Sequence, residues 1–142
     1  ICEESSETID AINILEATRL CMKRAVEGLA VQPDVVFTDG NFRLQIDLPQ
    51  QNIVRGDALS YTIGAASILA KVYRDALMCE YDKLYPQYGF AVHKGYGTKR
   101  HTDAIREYGL CEIHRRTFTK KFWERAESAG EQNTLNPSGT KF

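Results

Sequence analysis

Val35-Val36-Phe37-Thr38-Asp39-Gly40-Asn41 and, further on, Asn52-Ile53-Val54-Arg55-Gly56-Asp57 decide the fold of this 142-residue chain. Each is a short apolar run closed by an aspartate. A continuous apolar run of this length, bounded by turn residues, reads as a strand buried on both faces. A carboxylate at the end of such a strand is held rigidly at a sheet edge, where it can meet a metal ion. Strands are therefore expected over Val35 to Thr38 and around Gln51 to Arg55. If Asp39 and Asp57 share a metal, the two strands run parallel, because a tight hairpin would send them to opposite ends of the sheet. The connection from Asn41 to Gln50 is then shorter than the dozen or more residues usual for a crossover.

Helices flank this pair on both sides. Ahead of it, Ser5, Ser6 and Thr8 offer cap hydroxyls to a segment in which Ile12, Leu15, Met22, Val26 and Leu29 recur at helical spacing, so a helix is expected from about Ile9 to Leu29. Behind it, a long helix is expected from about Tyr61 to Leu84, with Ile63, Ala66, Leu69, Val72, Tyr73, Ala76 and Leu77 on one broad face and Pro86 ending it. Gly64, Ala65, Ala66 and Ala70 are small enough to let its first turns pack closely. A loop from Gln87 to Gly97 leads to a last helix, capped by Thr98 and stopped by Gly109 after Tyr108. Residues 128–142 are polar, with Gly and Pro, and read as a loose tail.

The length suits one domain with a real core. No run of 18 or more apolar residues occurs, so a membrane span is not expected, and without a basic-then-apolar leader the default location is the cytoplasm. Cys2, Cys21, Cys79 and Cys111 stand far apart with no C-x-x-C spacing, which favours free thiols over a zinc site or disulfides. Net charge is -1, but it is unevenly spread: residues 1–40 carry three basic and eight acidic side chains, and residues 93–125 nine basic and four acidic. An acidic front and a basic back suit metal-binding carboxylates placed beside a phosphate-gripping surface, and a solvated mixed surface is the other reading.

Three constellations carry candidate chemistry. Asp39 and Asp57 offer oxygen ligands to a magnesium or manganese ion, and two such ions serve phosphodiester hydrolysis well. Two carboxylates are too few for two ions, and aspartates beside Gly40 and Gly56 are also readable as turn formers. Ser67, Lys71 and Arg74 fall at i, i+4 and i+7 on one face of the long helix, where they either grip successive phosphates or form a solvated edge. His93-Lys94-Gly95-Tyr96-Gly97-Thr98 puts bases, an aromatic and glycines in one loop. Tyr96 there can stack on a sugar and sense a 2′-hydroxyl; His93 is either a proton carrier or a loop hydrogen-bonder. No nucleophile elbow, P-loop or dinucleotide fingerprint is present.

Taken together, Ile9 to Leu15, Thr38-Asp39-Gly40-Asn41, Arg55-Gly56-Asp57, Ala65 to Asp75, Tyr88 to Thr98 and His114-Arg115-Arg116-Thr117-Phe118 resemble one family, ribonuclease HII, the bacterial type 2 ribonuclease H. The blocks keep the family's order over residues 9–118. The resemblance implies an endonuclease that cuts the RNA strand of RNA-DNA hybrids and nicks 5′ of ribonucleotides embedded in duplex DNA. It implies 3′-hydroxyl and 5′-phosphate ends, Mn2+ or Mg2+ as cofactor, a role in removing ribonucleotides from DNA, and a monomer. The implied fold is α/β, a ribonuclease H-like mixed sheet flanked by helices, with a C-terminal helical part from about residue 86 inside a catalytic domain spanning residues 1–127. Asp39 and Asp57 look like the third and fourth of the family's four metal-binding carboxylates. Tyr96 looks like the tyrosine that reads the ribose, Lys71 and Arg74 like phosphate contacts, and Ser67, Lys94 and Asn13 like further substrate contacts.

The chain departs from the family pattern in one respect. It contains neither the Asp-Glu pair nor the Gly-Arg-Gly of the family's first strand. The resemblance therefore implies that two of four metal ligands and three central strands lie outside this chain. The rival reading is a non-catalytic or inactive hybrid-binding fragment that keeps the basic surface and Tyr96, and a product too incomplete to fold stably is a third.

Overall fold

β1 (Val36–Asp39) and β2 (Gln50–Ile53) pair in parallel, with Val36 opposite Gln50 and Asp39 opposite Ile53. This is a computed structural model of the chain, and it describes residues 1–120. The connection between the strands is as short as the sequence demands, and side-chain amides make it possible. Gln50 accepts from the Leu44 backbone N–H and donates to the Leu44 carbonyl, both at 2.9 Å. Asn52 donates to the carbonyl of Phe42. These bonds satisfy backbone groups that a crossover helix would otherwise pair internally. Leu44, only 4% exposed, plugs the loop from inside.

The parallel order is as expected, but the strand limits differ. β1 runs one residue further than expected, so Asp39 is its last residue. β2 ends at Ile53, and Asp57 lies beyond it in α2 (Gly56–Leu59), a single turn not expected from the sequence. A four-residue turn has too little periodicity to read.

α1 covers Ser6–Glu27, with Ser5 as cap accepting from the Thr8 N–H, and it is broken at Asn13. Asn13 has φ 68°, ψ 165°, and its Oδ1 accepts from the N–H groups of Leu15 and Glu16, so it restarts the helix as an internal N-cap. The single unbroken helix expected from Ile9 is thus two segments. Asp10, in the first segment, reaches across to accept from the backbone N–H groups of Arg116 and Thr117 and from the Thr117 hydroxyl, capping the helical turn of residues 116–120. The Thr117 hydroxyl hydrogen bond, first, and the two N–H groups hold the Asp10 carboxyl below its ordinary value.

α3 spans Tyr61–Leu84 and α5 spans Lys99–Tyr108, with Thr98 as cap and Gly109 as stop of α5, as expected; Ser60, not foreseen as a cap, accepts from the Ile63 N–H at the start of α3. The loop between them contains one unexpected turn, α4 (Phe90–His93). The closed core lies here: Tyr88, Phe90, Ala104 and Ile105 are buried, with Met78, Tyr81, Tyr85, Cys111 and Ile113 packed around them. Burying a Phe of this kind stabilises by roughly 1.5–3 kcal/mol.

The apolar face expected on α3 buries only at its start. Ile63 is 7% exposed, whereas Leu69 and Val72 are each 62% exposed. No helix among the described residues is long and apolar enough to cross a membrane. The tail expected over residues 128–142, and the domain limit at 127, lie outside the described residues.

Candidate active site

The turn that carries Asp57 packs against Asp39 because Gly56 has no side chain. A Cβ on Gly56 would lie 2.6 Å from Ile63 Cδ1, 3.4 Å from the Asp39 Cα and 3.4 Å from the Ile53 Cβ. The end of β1, the end of β2 and the first turn of α3 thus converge on one glycine, and Asp57 follows it directly. Asp39 also caps the turn: its Oδ1 accepts the Gly56 N–H at 2.8 Å, leaving its remaining lone pairs free among the described residues. Arg55, at φ 59°, makes the left-handed step that swings the chain from β2 into α2. Both carboxylates are exposed.

Paired carboxylate oxygens of this kind suit a hard divalent cation such as magnesium or manganese. They do not complete its shell. Among the described residues no third His, Cys, Asp or Glu joins Asp39 and Asp57 in a cluster tight enough to ligate one ion. The donor type fits the implied metal.

A second group gathers further along α3. Gly64 packs against the Asp57 carbonyl, which sets the first turn of α3 on the aspartate turn. At 1.5 Å rise per residue, Lys71 and Arg74 lie about 10 and 15 Å beyond Gly64 along the helix. Lys94 at φ 52° and Gly95 at φ 78° fold the following loop back onto α3. There the Arg74 guanidinium sits over the Tyr96 ring, 5.3 Å from its centroid. Tyr96 remains 64% exposed. Lys71 pairs with Asp75 at 2.6 Å, and that bond holds the ammonium above and the carboxyl below their ordinary values. Ser67 is exposed one turn nearer the aspartates. The structure thus brings Lys71, Arg74 and Tyr96 into one patch.

Lys94 and Asn13 stand differently. The Lys94 ammonium is tied down, donating to the Asp75 carbonyl at 3.3 Å and to Cys79 Sγ at 2.9 Å. It anchors the loop to α3. Asn13 spends its Oδ1 on the helix break described above. A groove of about 1710 Å³, whose lining includes Ala70, Arg74, Gly95, Gly97 and His101, runs past this patch, and neither aspartate lines it.

Sequence reasoning missed a buried cluster beneath the Tyr96 loop. His93, His101 and His114 are 6%, 7% and 8% exposed. His93 is a loop hydrogen-bonder: its Nε2 meets the Tyr88 carbonyl at 2.9 Å, and its Nδ1 accepts the Gly95 N–H. The only signal in the sequence was that all three histidines of the chain fall between residues 93 and 114. The four cysteines are free thiols, as expected. Cys2, Glu4 and Cys21 nevertheless lie together, and burial followed by the Cys2 charge pushes the Cys21 thiol up to about 11.

A family model described as Ribonuclease HII matches residues 1–126. A protein named Ribonuclease HII from Desulfitobacterium hafniense (strain DSM 10664 / DCB-2) is 58% identical over 110 residues, which cover 78% of this chain and 42% of that protein. One of the same name from Pelodictyon phaeoclathratiforme is 50% identical over 119 residues, covering 83% of this chain and 58% of that protein. One from Acetivibrio thermocellus is 55% identical over 114 residues, covering 80% and 44%. The chain spans about half the length of the curated relatives it matches.

Proposed function

The chain belongs to the ribonuclease HII family, and from that premise we propose that the intact protein carrying it is an endonuclease acting on ribonucleotides in duplexes. It cuts the RNA strand of RNA-DNA hybrids and nicks 5′ of ribonucleotides embedded in DNA, leaving 3′-hydroxyl and 5′-phosphate ends, and so serves ribonucleotide removal. It works as a monomer in the cytoplasm. Residues 1–127 belong to its catalytic domain, in which the helical part from about residue 86 binds substrate.

Asp39 and Asp57 hold Mn2+ or Mg2+ together with two carboxylates from a segment outside this chain. Such ions, when bound, supply hydroxide at neutral pH and stabilise the leaving oxygen. The chain's own residues bind and orient. Arg74 grips a backbone phosphate and keeps the Tyr96 ring flat beneath it, so that the phenol faces the ribose 2′-hydroxyl. Lys71 reaches a neighbouring phosphate by releasing Asp75, an exchange made easy by the weakness of exposed ion pairs. Ser67 and Asn13 are further contacts, and Lys94 acts on substrate binding through the position of its loop.

The observation that supports this reading best is that one helix links both groups: α3 packs its first turn on the Asp57 turn and carries Lys71 and Arg74 toward Tyr96. The second reading, a hybrid-binding fragment without chemistry, rests on the two-carboxylate donor set. One assay separates them. The intact protein, given Mn2+ or Mg2+ and a DNA duplex with a single ribonucleotide, nicks it 5′ of that residue. Tight binding without nicking decides for the second reading.

A further inference from the structure

The Tyr96 backbone is gripped from beneath by histidines whose hydrogen bonds run in one direction. Cys111 fixes the start: its backbone N–H donates to His114 Nδ1 at 3.0 Å, and its Sγ lies 3.0 Å from the same nitrogen. Burial pushes the Cys111 thiol up, so it too stays a donor. Since His114 Nδ1 accepts, the proton of the neutral ring sits on Nε2. That nitrogen meets His101 Nε2 at 3.0 Å, which must then accept, leaving the His101 proton on Nδ1. His101 Nδ1 donates to the Tyr96 carbonyl at 3.0 Å.

The chain therefore reads from the Cys111 N–H through His114 and His101 to the Tyr96 carbonyl, with every ring nitrogen held to one role, donor or acceptor. The other side of the loop is held by His93, whose ring stacks on His101 at 4.4 Å and 15°, and whose carbonyl accepts the Tyr96 N–H. A second proton on His101 or His114 would set two N–H groups against each other. In keeping with this, burial lowers both histidines from their ordinary value.

We propose that His101 and His114 are positioning residues for ribonucleotide selectivity: they fix the Tyr96 backbone, so the phenol presents one orientation to the substrate. This rests on the reading of Tyr96 as the group that senses the ribose. The titratable groups facing the pair are His93 from α4, the Cys111 thiol and the Tyr88 phenol, whose ring packs 5.0 Å from His114. Glu112 and Arg115, which flank His114, turn instead to the Tyr85 hydroxyl and the Phe118 ring.

The experiment measures, on the intact protein, the affinity for a duplex with one ribonucleotide relative to the same all-DNA duplex. His101→Ala removes the donor to Tyr96 and lowers this preference about tenfold, the size expected for one well-placed buried hydrogen bond. His101→Asn keeps a donor at the Nδ1 position and retains most of the preference. Affinity for the all-DNA duplex changes in neither, and matching melting curves show that both variants fold. Long-range 15N spectra of the wild type give His101 protonated on Nδ1 and His114 on Nε2, and acid lowers the preference in the wild type but not in His101→Ala. An unchanged preference in a folded His101→Ala, where Tyr96→Ala loses it, overturns the proposal and leaves the Tyr96 reading standing. A preference that survives Tyr96→Ala overturns the Tyr96 reading itself, and the role in selectivity with it.

Discussion

The carboxylate end of the molecule and the Tyr96 end are built to different degrees of closure. Around Tyr96, aromatic and histidine rings pack on one another: Tyr88 and Phe90 are each 2% exposed, and the three buried imidazoles find partners for both ring nitrogens. Around Asp39 and Asp57 the apolar surface lies open, with Phe37 40%, Val54 63% and Ile68 64% exposed. Among the described residues the sheet there is two parallel strands, a form that proteins otherwise keep covered on both faces. Thr38, next to Asp39, has a buried hydroxyl without a partner among the described residues. The Tyr96 half closes on itself, and the half around Asp39 and Asp57 leaves apolar surface uncovered; on the proposed function it also needs more carboxylates besides apolar cover for β1 and α3. On the proposed function both come from the same additional segment.

Stability measurements can break this comparison most forcefully. Phe90→Ala empties a closed site and should cost about 3–5 kcal/mol wherever it is made. Leu69→Ala should cost about 0.5 kcal/mol or less in the 142-residue chain, where the side chain is exposed, and about 2–5 kcal/mol in the intact protein if the face is covered there. Urea unfolding of both variants in both lengths checks the contrast, and an equal cost for Leu69→Ala in the two lengths breaks it.

Gly56→Ala sharpens the comparison at the metal end. The added methyl pushes on Ile63 and the Asp39 backbone, so stability should fall by about 1–3 kcal/mol. Nicking should fall further than stability alone explains, because the two carboxylates are spread. Affinity for an all-DNA duplex, read at the far end of α3, should hold.

The smallest effect concerns acid. His101 and His114 titrate below 6.5 in the folded protein and near it when unfolded, so the unfolded chain binds more protons as pH falls. Their contribution is complete above about 6.5 and is lost as pH drops through the folded values. Thermal unfolding between pH 7 and pH 5 should therefore show a falling Tm in the wild type and a flatter profile in His114→Gln.

What the sequence made legible follows from the range of the forces involved. The end of α3 and both ends of α5 were readable because Pro86, Thr98 and Gly109 act locally on periodic segments, whereas the Ser60 cap of α3 was not read. The parallel strand order was readable only through chemistry, by asking where two carboxylates must lie to share an ion. The break at Asn13 was hidden because its neighbours keep helical spacing on both sides. α2 and α4 were hidden because four-residue turns are set by what packs on them. The histidine chain joins residues from three separate segments, and no local pattern announces a contact of that kind.

The central claim, that Asp39 belongs to a catalytic metal site completed by other carboxylates, is tested most directly by nicking of a single-ribonucleotide duplex across a Mn2+ titration. The intact wild-type protein should nick in a metal-dependent manner, while Asp39→Asn should bind the duplex equally well and lose at least about 10³-fold in rate. Robust nicking by Asp39→Asn would contradict the claim.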